Sequence, residues 1–125
     1  MMLDRKAQTY DKGVKAEKSA ANWLRLKGYK ILETRYKTKF GEIDLIISKN
    51  NLIAFVEVKA RKDKASALES ITPKMRARIT QAAMYYISQN NVNEYDLRFD
   101  VVTVSPSFLG MVTIEHLDNA WEASA

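Results

Sequence analysis

The sequence predicts an α/β fold, one mixed β-sheet flanked by helices in the order α-β-β-β-α-β-β. Three patterns carry that prediction. Apolar residues recur at helical spacing over 11–27 and again after Thr72-Pro73, strand-like apolar runs occupy 42–47 and 52–59, and two more such runs, 97–105 and 111–117, close the chain. At 125 residues this is the size of one domain around one core. Residues 1–10 precede the first stripe and read as a loose N-terminal tail.

In the first helix Ala16, Ala20, Trp23 and Leu24 form the apolar stripe, and Gly28 is the stop expected after Lys27. A short strand around Ile31 and Leu32 follows over 29–36 and leads into the basic turn Lys37-Thr38-Lys39-Phe40-Gly41. From Glu42 to Ile47, alternation puts Ile43, Leu45 and Ile47 on one face and Glu42, Asp44 and Ile46 on the other. Ser48-Lys49-Asn50-Asn51 is turn chemistry, so the return run from Leu52 to Lys59 makes an antiparallel hairpin whose second strand is buried on both faces. Residues 61–70 read as a polar loop. Thr72 then caps a helix with Pro73 at its first position, where a missing N–H costs nothing. Met75, Ile79, Ala82, Ala83 and Tyr86 form its inward stripe, while Lys74, Arg78, Gln81 and Tyr85 share a basic, polar face. Asn90-Asn91 ends it. The two last strands are separated by a turn from Pro106 to Gly110, and 118–125 reads as a short closing helix.

Composition narrows the chemistry. The absence of Cys excludes disulfides, thiol catalysis and Cys-ligated zinc, and a single His removes most transition-metal sites. Carboxylate, Lys and Tyr chemistry remains. The charged start Met1-Met2-Leu3-Asp4-Arg5-Lys6 has no apolar stretch behind it, and no run approaches the roughly eighteen apolar residues that span a bilayer. A cytoplasmic protein with no membrane partner is expected. The net charge of +5 is uneven: residues 1–40 hold eleven Lys/Arg against four Asp/Glu, and 101–125 hold none against three. A basic field in the first third suits a polyanion, since each neutralised phosphate releases counterions. A solvated Lys-rich helix face accounts for it equally well.

Asp44 and Glu57 each lie within an apolar strand, where an unpaired carboxylate costs several kcal/mol to desolvate. Glu57 and Lys59 are two apart and project from one face. If the hairpin register sets Asp44 opposite them, two carboxylates and an ammonium converge. With the backbone carbonyl of Val58, those oxygens suit a hard cation, Mg²⁺ or Mn²⁺, which keeps waters for a substrate phosphate. Lys59 is then placed to orient or deprotonate the attacking water and to stabilise the oxyanion on phosphorus. The plainer alternative is a Glu57–Lys59 salt bridge with Asp44 in a polar position. Glu17 is a third candidate, because Gly13, Ala20, Ala21 and Leu24 share its side of the first helix; it either joins the acids or pairs with Lys15 or Lys18 at the surface. Tyr36, amid Arg35, Lys37 and Lys39, either stacks on a nucleobase or packs in the hairpin. His116, and Asp100 with Arg98, read as structural support.

Three segments in order, Gly41-Glu42-Ile43-Asp44-Leu45-Ile46, Phe55-Val56-Glu57-Val58-Lys59-Ala60-Arg61 and Arg98-Phe99-Asp100-Val101-Val102, resemble the YraN family (UPF0102). Ile71-Thr72-Pro73-Lys74 and Ile114-Glu115-His116-Leu117-Asp118-Asn119-Ala120-Trp121 extend the likeness to nearly the whole chain, from about Gly13 to Trp121. That family is similar to Holliday-junction resolvases and to the PD-(D/E)xK superfamily, so the resemblance implies a restriction-endonuclease-like fold. It implies Asp44, Glu57 and Lys59 as catalytic and metal-binding positions, with Glu17 as the helix-one acid. It also implies DNA as partner, branched forms included, and a homodimer by analogy with resolvases. Gln81 and Tyr85 are similar to a Gln/Tyr helix pair of RecB-type nucleases. Ile43 stands where the superfamily name has Pro, Arg35 replaces an Asn often seen before the Gly-Glu-Ile-Asp motif, and 62–68 lacks the usual Gly and aromatic residues.

The function expected is therefore metal-dependent hydrolysis of DNA phosphodiester bonds. Arg35, Lys37, Lys39, Arg61, Lys74, Arg78, Gln81 and Tyr85 would bind the nucleic acid. The competing expectation is a catalytically silent nucleic-acid-binding module of the same fold.

Overall fold

In the computed structural model, which describes residues 5–123 and the side chains of 13–123, helix α1 (Arg5–Leu26) opens the chain. It begins earlier than the Asp11 expected; of the expected tail, residues 1–4 lie outside the described residues. Gly28, at φ 95°, takes the left-handed conformation that glycine adopts freely. The amides of Gly28 and Tyr29 reach back to the carbonyls of Arg25 and Leu24, both at 3.0 Å, and these paired bonds stop the helix.

Strands β1 (Lys30–Lys37), β2 (Glu42–Lys49) and β3 (Leu52–Ala60) form an antiparallel meander, with Asn50 at φ 55° in the tight β2–β3 turn. Two helices follow, α2 (Lys64–Ser70) and α3 (Pro73–Gln89), then β4 (Asp96–Pro106) and β5 (Val112–Trp121). The strands lie in sequence order, β1-β2-β3-β4-β5, and all pairs are antiparallel except β3 with β4. That parallel pair needs a long crossover, which α2 and α3 supply.

A polar loop was expected over 61–70, yet its second half is α2. Asp63 caps it, accepting from the Ser66 amide at 2.8 Å, and Ala67 is fully buried, so one short apolar edge is enough to hold the turn. The closing helix expected over 118–125 is not formed in the described part. β5 instead continues to Trp121, which pairs with Phe99 in register and stacks on its ring at 5.1 Å. Burying two aromatic faces outweighs a free helical turn. Residues 124 and 125 lie outside the described residues.

The two faces of the sheet carry separate cores. On one, Ala16, Ala20, Ala21 and Leu24 of α1 pack on Leu45, Ile47, Ala54, Val56, Val58, Val102 and Val104. On the other, Ile79, Ala82, Ala83 and Tyr86 of α3 pack on Ile46, Ile53, Phe55, Phe99 and Val101. β3 is thus buried on both faces, as its unbroken apolar run predicts. Ile43 departs from simple alternation, joining the α3-side core rather than Leu45 and Ile47. Each outer strand is irregular: the β1–β2 register shifts between Ile31 and Glu33, and the β4–β5 register between Phe99 and Val101. Each also holds a non-glycine residue in the left-handed region, Arg35 and Asn119, both at φ 50°.

Between β4 and α1 lies a buried polar knot. Asp100 has no exposed surface. Arg98 donates to it from Nε at 2.8 Å and Nη2 at 3.1 Å, His116 Nε2 lies 2.7 Å away, and the Asn119 amide donates at 3.0 Å. Trp23 and Tyr29 meet the His116 ring edge-on. This is the structural role expected of Arg98, Asp100 and His116.

Candidate active site

The β2–β3 ladder ends at Leu45↔Val56, one residue short of Asp44 and Glu57. The Asp44 side chain enters the gap, its Oδ2 accepting from the Val58 amide at 2.8 Å. It thus replaces the backbone partner that β2 no longer offers. In an extended strand the N–H and C=O of one residue point the same way, so the Val58 carbonyl also faces this gap. Glu57 and Lys59 share the opening, with Lys59 Nζ 3.3 Å from Glu57 Oε1. Both side chains are almost covered, 14% exposed for Lys59 and 11% for Glu57.

The gap opens into a cleft of about 450 Å³ whose lining includes Glu17, Arg35, Glu42, Asp44, Glu57 and Arg78. α3 closes one wall by approaching Gly41. A Cβ there would lie 3.2 Å from the Arg78 carbonyl oxygen, so a hydrogen at this position is what lets the helix sit so near the acids. Glu42, which alternation sets on the face of Asp44, lines the cleft with it, although it is not among the site residues expected from the sequence.

Glu17 comes to the same cleft, but its Oε2 accepts from Arg35 Nε at 3.0 Å. Among the described residues its ion-pair partner is Arg35 rather than Lys15 or Lys18, and Arg35 sits across from Asp44 between the pairs Thr34↔Leu45 and Tyr36↔Ile43. Among the described residues no three His, Asp or Glu side chains converge as a ligand cluster. The acids at the gap are a pair, with Glu17 held to one side.

Electrostatics single out that pair. Burial and then the Glu57 charge push the Asp44 carboxyl up to about 8, against the opposing pull of the Val58 amide and Lys59. Burial likewise raises Glu57, with Lys59 opposing. A buried and a half-buried carboxylate that resist joint ionisation, beside a carbonyl oxygen, are a hard-oxygen donor set that a divalent cation would relieve. The residues fit such an ion.

A raised carboxyl also has a thermodynamic signature. Because Asp44 holds its proton to higher pH in the fold than in the unfolded chain, its contribution to stability is complete below the ordinary Asp range and lost as pH rises towards about 8. Asp44→Asn cannot ionise and keeps an oxygen for the Val58 amide. In EDTA its melting temperature should exceed the wild type's by roughly 5–10 °C at pH 9, with a smaller gap at pH 5. Melting curves at the two pH values check this, and an unchanged or inverted gap contradicts it.

The remaining expected site residues are spread more widely. Arg35 and Arg78 line the cleft. Arg61 is exposed just past β3, and Lys37, Lys39 and Lys74 are exposed around the same end of the sheet. Tyr85 meets Phe40 at 6.5 Å, and Lys39 lies over the Phe40 ring at 5.2 Å. Gln81 is elsewhere, lining a separate depression with Arg76 and Trp121. Tyr36 packs edge-on against Tyr86 at 5.4 Å, the packing alternative for that ring. No helix among the described residues is long and apolar enough to cross a membrane.

Comparison with known proteins gives the same frame. A UPF0102 protein of Rhodopseudomonas palustris (strain BisB5) is 42% identical over 116 residues, covering 92% of this chain and 86% of the relative. One from Bradyrhizobium diazoefficiens is 42% identical over 113 residues, covering 90% and 82%. One from Bartonella quintana is 42% identical over 107 residues, covering 85% and 88%. The model of the family described as "Uncharacterised protein family UPF0102" matches residues 16–104, which include Glu17, Asp44, Glu57 and Lys59. On both grounds, the chain belongs to UPF0102, the YraN family.

Proposed function

We propose that the protein is a divalent-cation-dependent nuclease that hydrolyses phosphodiester bonds in DNA, branched forms included. One observation carries the reading: Asp44, Glu57 and Lys59 gather at the point where β2 leaves β3, the two acids lining an open cleft with both carboxyls raised and Lys59 paired to Glu57. A structural salt bridge needs one acid for one base. The second acid, Asp44, satisfies the Val58 amide, but a neutral acceptor would do that as well; a carboxylate beside Glu57 adds a repulsion that the fold does not need.

In this reading Asp44, Glu57 and the Val58 carbonyl hold Mg²⁺ or Mn²⁺, which would supply positive charge at the phosphate and a more acidic water. Lys59, kept in place by Glu57, orients the attacking water and stabilises the charge that grows on the phosphoryl oxygens. Arg35 and Arg78 bind the phosphate within the cleft, and Lys37, Lys39, Arg61 and Lys74 take the flanking backbone as counterions leave. Glu17, through Arg35, sets where that guanidinium stands.

Incubation of the protein with linear, flap and four-way-junction DNA under Mg²⁺, Mn²⁺ and EDTA tests the reading. Products with either cation and none with EDTA are expected. Salt-sensitive binding without products from any substrate would leave a silent DNA-binding module in place of an enzyme.

A further inference from the structure

The β4–β5 connection is unusual for a surface turn. Phe108 is 79% exposed, Leu109 82% and Met111 68%, with Val112 at 45% beside them; Leu26 and Met84 are also exposed, but only here do such side chains follow one another along the chain. Contiguous exposed apolar groups of this kind mark contact sites. The turn is also fixed in shape. The Ser107 amide donates to the Met111 carbonyl at 2.8 Å and the Met111 amide to Phe108 at 3.3 Å, while Leu109 (φ 58°) and Gly110 (φ 75°) are both left-handed. Leucine takes that conformation at a cost, which here holds apolar side chains out in water.

Its position ties it to the acids. β3 and β4 run parallel with Glu57 beside Val101 and Ala60 beside Val104, so the turn projects from the same end of the sheet as the cleft. β4 continues from Val101 to Pro106, which sets the tip roughly 17 Å further along at about 3.3 Å per residue. That is the length of roughly five nucleotide steps at about 3.4 Å each. The base of the turn also adjoins a basic segment: Ser105 Oγ donates to the Arg61 backbone carbonyl at 2.6 Å, and Arg61, Lys62 and Lys64 are all exposed.

We propose that Phe108 and Leu109 form an apolar wedge that enters the base stack of the substrate at an unpaired or easily opened step, about five nucleotides from the phosphate in the cleft. This rests on the nuclease reading and deepens it, naming DNA with a local discontinuity as the preferred substrate. Apolar side chains flanked by Lys and Arg are how proteins prise base steps apart, and opening is cheapest where stacking is already broken. A second copy of the chain fits less well, because so small a tip cannot supply the roughly 800 Å² per partner of a stable interface.

The test uses the full chain and the variant Phe108→Ser/Leu109→Ser, whose changes lie on exposed residues. Both are bound, in EDTA, to a duplex and to the same duplex with a one-nucleotide bulge beside 2-aminopurine. The wild type should bind the bulged DNA at least tenfold more tightly than the intact duplex and raise 2-aminopurine fluorescence. The variant should bind the two alike and leave fluorescence at the free-DNA level. Equal behaviour of the two proteins overturns the wedge. So does a variant whose only losses are co-sedimentation with anionic vesicles or self-association in the ultracentrifuge. Cleavage under Mg²⁺ or Mn²⁺ is read separately. Products without a fluorescence change sink the wedge and leave the nuclease; a fluorescence change without products does the reverse.

Discussion

If the proposed nuclease reading holds, Asp44→Ala and Glu57→Ala should each reduce Mg²⁺-dependent cleavage by about a thousandfold, the upper end of what loss of one preorganised electrostatic group costs. DNA binding should persist or tighten, because neither substitution removes a cation and each removes a carboxyl that can carry negative charge in the cleft. The two variants separate chemistry from fold in different ways. Asp44→Ala also frees the Val58 amide that the carboxylate accepts at 2.8 Å, so some stability change accompanies it. Glu57→Ala leaves Lys59 without its 3.3 Å partner. Asp44→Asn and Glu57→Gln, which keep shape and hydrogen bonding, are the controls and lose activity to a similar degree. Quantitative gel assays with matched binding isotherms give the answer, and cleavage by the Asp44→Ala/Glu57→Ala double variant at the wild-type rate removes the enzymatic reading.

The second large effect is on folding. Asp100→Ala strips the acceptor from Arg98, His116 and the Asn119 amide at once and leaves a partly buried guanidinium uncompensated. Breaking such a cluster from one side costs about 3–5 kcal/mol, a fall of roughly 10–20 °C in melting temperature for a domain of this size. Asp100→Asn, which keeps an oxygen and the side-chain shape, falls less. The pH dependence runs opposite to that of Asp44. Burial raises the Asp100 carboxyl, but the hydrogen bonds from His116, Arg98 and the Asn119 amide outweigh it and hold it below the ordinary value. Its contribution is therefore full above the usual Asp range and lost as pH falls through its lowered value. Wild-type melting should drop on acidification below about pH 4, and Asp100→Asn should not share that drop. An Asp100→Ala protein that melts with the wild type would contradict the account.

Local spacing made the central part of the molecule legible. The β2–β3 hairpin, the Thr72 cap that accepts from the Met75 amide at 3.2 Å, and the shared face of Glu57 and Lys59 all depend on neighbours within a few residues. What escaped depends on distant ones. The 18-residue separation of Glu17 and Arg35 is closed only by how α1 docks. The separation of β2 from β3 before Leu45, which creates the gap and turns Ile43 to the α3 side, goes with the close approach of α3 at Gly41. α2 escaped because seven residues show too few apolar positions for a period. The continuation of β5 was hidden because Asp118 and Asn119 look like turn residues, and only the Phe99–Trp121 stack reveals the reason to stay extended.

The irregular outer strands bear on how the molecule behaves in a crowd. A sheet of this kind presents two rims of unpaired N–H and C=O groups, each a template on which a further chain can add. Here the shift near Ile31 and left-handed Arg35 bend one rim, and the shift near Phe99 with left-handed Asn119 bends the other. A bent rim cannot match a straight incoming ribbon bond for bond. Both borders are thus protected from edge-to-edge growth into aggregates, and the sheet ends where its own five strands end.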